Sequence, residues 1–261
     1  MDIPCPSDSA TRHPRRGATD GFLAMCTVSI IPYDDGFRLA CNRDERRDRP
    51  AAIPPTVRLL QRVSATYPQD TRGGGTWVGV NEVGLAAALL NRTADPIAAE
   101  ESRGLRSRGL IIPQLLDSRS VTDALETARR LVPTQFNPFC VVLVERMTAG
   151  IVTSDGLTLS VQMMDVGRPQ MLTSSGLGDA VVDTPRRQLF ERLVLRGDRF
   201  SPLAQDRFHA HRWPSGADIS VHMERPDART VSRTTIVATS RAIDLEYVPL
   251  GAEEPQASRA A

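Results

Sequence analysis

Cys26 carries the most distinctive chemistry in the chain. It follows Met25, where a polar N-terminal stretch gives way to an apolar run. If the mature chain begins at Cys26, one residue presents both a thiol and a free α-amino group. An α-amino group titrates near ~7.7–8.0 and a thiol near ~8.5, so at neutral pH part of the amine is free to take the thiol proton, directly or through one water. Nucleophile and base then share one carbon. With residues 1–25 attached, the same nitrogen is an amide and that chemistry is lost. The plainer reading is a strand cysteine behind an incidental methionine.

Asn42-Arg43-Asp44-Glu45 forms a second cluster. A carboxylate there can orient a charged α-amine, and an arginine can steady a thiolate or a carboxylate. On a strand only one of each neighbouring pair can face a site. Without such a site, residues 42–49 read as an exposed, salt-bridge-rich turn. Asn91 ends an apolar run; its amide can donate to a developing oxyanion or simply suit a turn. Trp77 can line a pocket or fill the core. His209 and His211 would share one face of a strand, with His222 downstream as a third ligand. No acidic or cysteine partner lies at fitting spacing, so no metal site is expected. Met163 and Met164 read as core residues rather than haem ligands.

Composition narrows the options. The 261 residues, 41% hydrophobic and 24% charged, can bury a real core and do not resemble a disordered chain. A net charge of +1 gives no global field for nucleic acid or anionic lipid, so no nucleic-acid partner is expected. All 32 basic residues are arginine, which removes Schiff-base, phosphate-loop and kinase-type lysines. No run approaches the ~18 apolar residues of a membrane span. Cys5, Cys26, Cys41 and Cys140 form no CxxC pair, which speaks against a zinc site or a disulfide framework and for a reducing, cytoplasmic setting. Residues 1–24 lack the apolar stretch of about 7–15 residues that a secretory signal needs. They read as disordered, or as a mis-assigned start or leader. Residues 25–250 read as a single domain and 251–261 as a disordered tail.

The elements that must position these residues follow from pattern. Residues 27–31 and 37–41 read as a hairpin across Asp34-Asp35-Gly36. A second hairpin joins 76–80 to 85–90, with Gly73-Gly74-Gly75 at its entrance permitting close backbone approach. An apolar stripe predicts a helix over 121–132 capped by Ser120, and a second covers 103–116, interrupted at Pro113. Strands follow at 139–145, 150–153, 157–164 and 170–173. Thr184-Pro185 reads as the start of a helix over 186–195, before strands at 233–239 and 243–248. Hairpin-length connections imply antiparallel sheets with helices on their outer faces.

The ordered set Met25-Cys26-Thr27, Asn42 to Glu45, Gly74 to Asn81, Ala87 to Asn91, Ser174 to Leu177 with Asp183 to Arg186, and Ser232 to Ile236 resembles the NRDE family. That family includes the transport and Golgi organisation 2 proteins. The resemblance spans about residues 25–250, and family members begin at the methionine before this cysteine. The family in turn resembles N-terminal nucleophile hydrolases of the choloylglycine hydrolase and penicillin V acylase type. This implies an α+β fold, an αββα sandwich of antiparallel sheets, and cleavage of non-peptide amides by an N-terminal cysteine without a cofactor.

By this resemblance and the chemistry together Cys26 is the nucleophile and Arg43 and Asp44 are its favoured supports, though the order of residues here differs from the amidases' arginine–asparagine–x–aspartate, and Asn91 matches the amidases' oxyanion-hole asparagine. An ungapped alignment instead brings Asn42 and Glu45 into the supporting slots. Ser174 and Ser175 fall where relatives commonly carry asparagine. Trp77, Ser174 and Arg186 complete the expected substrate-binding set, with Arg186 or Arg187 as a pocket cation. The expected activity is hydrolysis of a small-molecule amide. The alternative is a non-catalytic binding or trafficking protein for a hydrophobic ligand such as haem.

Overall fold

The computed structural model describes residues 25–33, 35–92, 106–174, 179–196 and 201–250. The segments read as a leader and a tail, and Ser175 to Leu177, lie outside the described residues. Twelve strands among them form two antiparallel sheets. Strands β1 (Met25–Tyr33) and β2 (Gly36–Arg46) are the first hairpin. Next come β3 (Ile53–Leu59), β4 (Ser64–Gln69), β5 (Val78–Asn81) and β6 (Ala86–Asn91). After two helices follow β7 (Phe139–Glu145), β8 (Thr148–Ser154), β9 (Leu159–Met164) and β10 (Gln170–Thr173). The last hairpin is β11 (Ala228–Thr239) and β12 (Ile243–Pro249). One sheet runs β10-β1-β2-β11-β12, the other β3 through β9 in chain order.

The sheets pack face to face. Val28, Ile30, Phe37, Leu39 and Ile236 of one meet Val78, Val80, Leu90 and Val142 of the other. Helices α1 (Ile111–Leu116) and α2 (Val121–Ala128) cover the seven-stranded sheet through Ile111, Leu115, Leu125, Val141 and Leu143. Helices α3 (Asp179–Phe190) and α4 (Pro202–His209) cover the five-stranded sheet, where Leu189, Phe190 and Phe208 pack on Ile31 and Met171. The layers are helix, sheet, sheet, helix, as the resemblance implies. Both faces of β2 are therefore covered, and all but its last residue are buried.

Several boundaries differ from the pattern reading. Ser120 caps α2 as expected, accepting from the Asp123 N–H at 3.1 Å, but the helix stops at Ala128. Pro113 lies in the first turn of α1, where its missing N–H has no intrahelical partner to lose, and a 3₁₀ turn over Arg108–Leu110 precedes it. Helix α3 starts at Asp179 and holds Pro185 inside it. Its buried stripe is Val182, Arg186, Leu189 and Phe190, and an arginine in that stripe hides the helical period. Strands β3 and β4 escape the pattern reading. Pro54 and Pro55 mask β3, an edge strand where proline is tolerated, and its Val57 and Leu59 are exposed.

Candidate active site

A cavity of about 690 Å³ opens beside the N-terminal end of β1. Cys26, the second residue of β1, pairs in register with Arg43 of β2. Both side chains, and Glu45 two residues on, face the space between the sheets and line the cavity. Trp77, Leu89 and Asn91 supply the opposite wall, and residues 106–109 close one side. A Cβ on Gly75 would lie 2.2 Å from the Gly109 carbonyl carbon, so two backbones cross where a side chain cannot fit. Thr76 N–H donates to the Gly109 carbonyl at 3.0 Å in the same crossing. That glycine contact brings the turn carrying Arg108 to the wall.

Cys26 is 4% exposed. Its backbone N–H donates to Ser174 Oγ at 3.4 Å, and the Ser174 N–H donates to the Cys26 carbonyl at 3.1 Å. Cys41 is two residues from Arg43 on the same face. The neighbouring Cys26 thiol, then burial, pushes its titration well up, so it stays a neutral S–H, which donates to the Asn42 carbonyl at 3.8 Å.

Charges around the thiol interlock. Arg43 Nη2 lies 3.2 Å from Glu45 and 3.7 Å from Asp70, with its guanidinium carbon 4.0 Å from the Trp77 ring centroid. Glu45 also accepts from the Arg46 N–H at 3.0 Å and lies 3.8 Å from Arg49. Arg49 binds Asp70 through both Nε and Nη2. Burial works against the Asp70 charge, but the Arg49 hydrogen bond and the Arg43 and Arg49 charges outweigh it and hold the carboxyl below its ordinary range. Arg108 is desolvated: burial pushes its guanidinium down to about 10, opposed by the nearby Cys26 and Glu45.

The structure thus brings Cys26, Arg43, Glu45, Trp77 and Asn91 to one cavity and leaves four expected residues out of it. Asp44 and Arg43 cannot both face the site, because strand alternation sends them to opposite faces. Glu45, not Asp44, accompanies Arg43. Asp44 lies under the helices, where Thr230 Oγ1 donates to its Oδ1 at 2.5 Å and its Oδ2 is buried without a partner among the described residues. Burial raises its titration to about 6, opposed by Arg186, Thr230 and Arg225. Asn42 shares that outer face, and its Nδ2 donates to the carbonyls of His209 and Val221 at 2.9 Å.

Arg186 is not a pocket cation. It is fully buried and donates to Thr27 Oγ1 at 2.7 Å, Thr173 Oγ1 at 2.8 Å and the carbonyls of Ser220 and Ile219. Ser174 does not line the cavity; it holds the Cys26 nitrogen. Trp77 meets both of its readings, being 5% exposed and part of the wall.

His209 ends α4 rather than lying on a strand with His211. Its ring nitrogens contact Ser29 Oγ at 2.7 Å and Asn42 Oδ1 at 3.0 Å. With Asn42 Nδ2 already donating twice, Oδ1 accepts from His209 Nδ1, and Nε2 accepts from Ser29: a neutral imidazole. Burial, with Arg233, Arg38 and Arg186 nearby, lowers its titration to about 3. Among the described residues no group of three His, Cys, Asp or Glu side chains is placed to hold a metal ion.

Sequence reasoning missed Asp70, Arg49 and Arg108. The signal for Arg108 was its neighbour Gly109, which like Gly75 lacks the side chain that would keep the two backbones apart. Asp70 carried no comparable signal.

The family described as transport and Golgi organisation 2 matches residues 25–206. FRIGIDA-like protein 4b of Arabidopsis thaliana is 27% identical over 203 residues, which are 69% of this chain and 36% of that protein. The chain thus spans about a third of that curated relative's length. Among solved structures, a Caenorhabditis elegans ortholog of N-acylethanolamine-hydrolyzing acid amidase superposes with a TM-score of 0.58 at 13% identity, covering 81% of this chain and 92% of the other. A single-residue variant of conjugated bile acid hydrolase from Clostridium perfringens gives 0.50 at 13% identity, covering 88% and 94%. At this identity the likeness establishes the fold alone, the helix, sheet, sheet, helix sandwich.

Proposed function

We propose, for a chain that belongs to the transport and Golgi organisation 2 family, that the cavity at Cys26 hydrolyses a non-peptide C–N amide bond of a small molecule. The observation that carries this reading is the placement of Cys26. It is the second residue of the first strand, its side chain lines the cavity, and its backbone N–H donates to Ser174 Oγ. The two solved neighbours are by name an amidase and a bile acid hydrolase, which supports amide chemistry on this scaffold. Fold alone does not fix activity, so the weight rests on the residues.

In a chain that begins at Cys26, the α-amine takes the thiol proton. The sulfur attacks the amide carbon, and the carbonyl electron pair moves onto oxygen, where the Asn91 amide donates to it. Collapse breaks the C–N bond, and the leaving amine departs with the proton held on the α-ammonium. An acyl thioester remains on Cys26. The freed α-amine then deprotonates a water that attacks the thioester, releasing a carboxylic acid and returning the proton to the sulfur. Cys41, kept neutral by the neighbouring Cys26 thiol and by burial, adds no second thiolate beside the reacting sulfur. Arg43, Glu45 and Asp70 fix the wall on which this occurs.

The alternative, a binding protein for haem or a lipid-like ligand, draws little from this wall. Among the described residues that line it, Trp77 and Leu89 are the large apolar ones, and none is a histidine or methionine.

The test uses a protein starting at Cys26 and a p-nitrophenyl ester as acyl donor. Intact mass is expected to show one acyl group, located on Cys26, that then turns over. Cys26→Ala should acquire none. A protein retaining Met25 should acylate slowly and fail to turn over. Equal turnover by the Met25-retaining protein, or by Cys26→Ala, would refute the mechanism.

A further inference from the structure

Among the described residues the cavity wall carries six arginines, Arg43, Arg46, Arg49, Arg72, Arg106 and Arg108, against three carboxylates, Glu45, Asp48 and Asp70. Those carboxylates are already engaged. Arg43 lies 3.2 Å from Glu45, Arg46 lies 2.9 Å from Asp48, and Arg49 binds Asp70. Of the remaining three, Arg72 and Arg106 are exposed, and Arg106 lies over the Phe136 ring while donating to Gln135 Oε1 at 3.2 Å.

Arg108 differs from both. It is half-buried, donates from Nη1 to the Pro138 carbonyl at 2.8 Å, and has no carboxylate within ion-pair distance among the described residues. A desolvated guanidinium with one backbone partner is costly unless an anion completes it. Its planar fork suits two oxygens of a carboxylate or phosphate. Arg108 lines the same cavity as Cys26 and Glu45, which places it beside the reacting sulfur.

We propose that the substrate carries an anionic oxygen group, a carboxylate or a phosphate, and that Arg108 receives it next to the scissile amide. This rests on the hydrolase reading for the word substrate, but the selectivity itself is a matter of binding. Arg108 would then be a specificity-determining residue, with Arg72 and Arg106 drawing the anion toward the cavity mouth. A bound anion would offset part of the surplus of cations that the described wall residues carry.

The experiment measures binding separately from turnover. Cys26→Ala with Trp213→Phe leaves Trp77, on the cavity wall, as the sole tryptophan reporter. Three probes share one acyl chain: N-hexanoylglycine, its methyl ester, and the phosphate ester of N-hexanoylethanolamine. At least one of the two anions should bind about tenfold or more tighter than the neutral ester, the scale of a charge-assisted hydrogen bond. The stronger of the two identifies the group. Adding Arg108→Gln should bring anion and ester to near-equal affinity.

Equal binding of anions and ester, no binding by any of them, or a preference that survives Arg108→Gln would overturn the proposal. If Arg108→Gln instead slows Cys26 alkylation by neutral iodoacetamide in the otherwise native chain and leaves ligand preference intact, Arg108 serves the thiolate and the proposal is wrong. Absence of turnover with anion selectivity retained would count against hydrolysis alone. Turnover of neutral and anionic amides at equal rates would count against Arg108 alone.

Discussion

Replacing Asp44 by Asn isolates the one buried carboxylate that the structure removes from the cavity. Burial moves this carboxyl from an ordinary 3.8 to about 6. Between those values the folded chain holds a proton that the unfolded chain has released. Stability from this group is therefore greatest at low pH, falls as pH rises through that window, and is constant above it. At about 1.4 kcal/mol per pH unit, the whole fall is about 3 kcal/mol. Asparagine cannot titrate, so the variant lacks the fall.

The assay is urea unfolding of both proteins across about pH 4 to 8, compared as a difference so that all other groups cancel. The stability of Asp44→Asn minus that of the native chain should rise by about 1.4 kcal/mol per pH unit up to about pH 6 and then level off. A pH-independent difference, or one of opposite slope, would refute the placement of Asp44 as a desolvated, half-satisfied carboxyl. His209 supplies the opposite sign. Its titration is depressed from 6.5 to about 3, so its contribution is present above the unfolded value and lost as pH falls below it. His209→Gln should remove an acid-side loss, and the two variants should diverge in opposite directions over the shared window.

Three other outcomes follow from particular contacts. Arg186→Leu leaves the Thr27 and Thr173 hydroxyls and the Ser220 and Ile219 carbonyls without their donor; a loss of about 3 kcal/mol or more is expected by chemical denaturation. Gly75→Ala would drive a methyl into the backbone of Gly109, costing about 2–4 kcal/mol by thermal unfolding and displacing Arg108. Ser120→Ala removes only the α2 cap and should cost about 1 kcal/mol with no effect on ligand binding or acylation.

The β1–β2 hairpin, the pairing of β5 with β6 and the cap of α2 were legible because apolar period, turn residues and a serine cap agree locally. The cavity was legible where short motifs carried it: Cys26, Arg43, Trp77 and Asn91, from four separate motifs, all reach it. The choice between Asp44 and Glu45 was not, since chemistry favoured the aspartate while alternation from Arg43 required the glutamate. Arg186 misled for a related reason. A charged residue in a buried helical stripe looks like a site residue in sequence, and only the Thr27, Thr173 and Ser220 partners explain it. Arg108 reaches the cavity through a crossing of backbones far apart in the chain, which no local pattern records.

Hydrolysis by this route requires the Cys26 nitrogen to be a free amine in the working protein, which N-terminal sequencing with intact mass of the chain purified from its own host reads without inference. The expected chain begins at Cys26. A chain that keeps any residue ahead of Cys26 would leave an amide where the base must be, and would contradict the proposed hydrolysis.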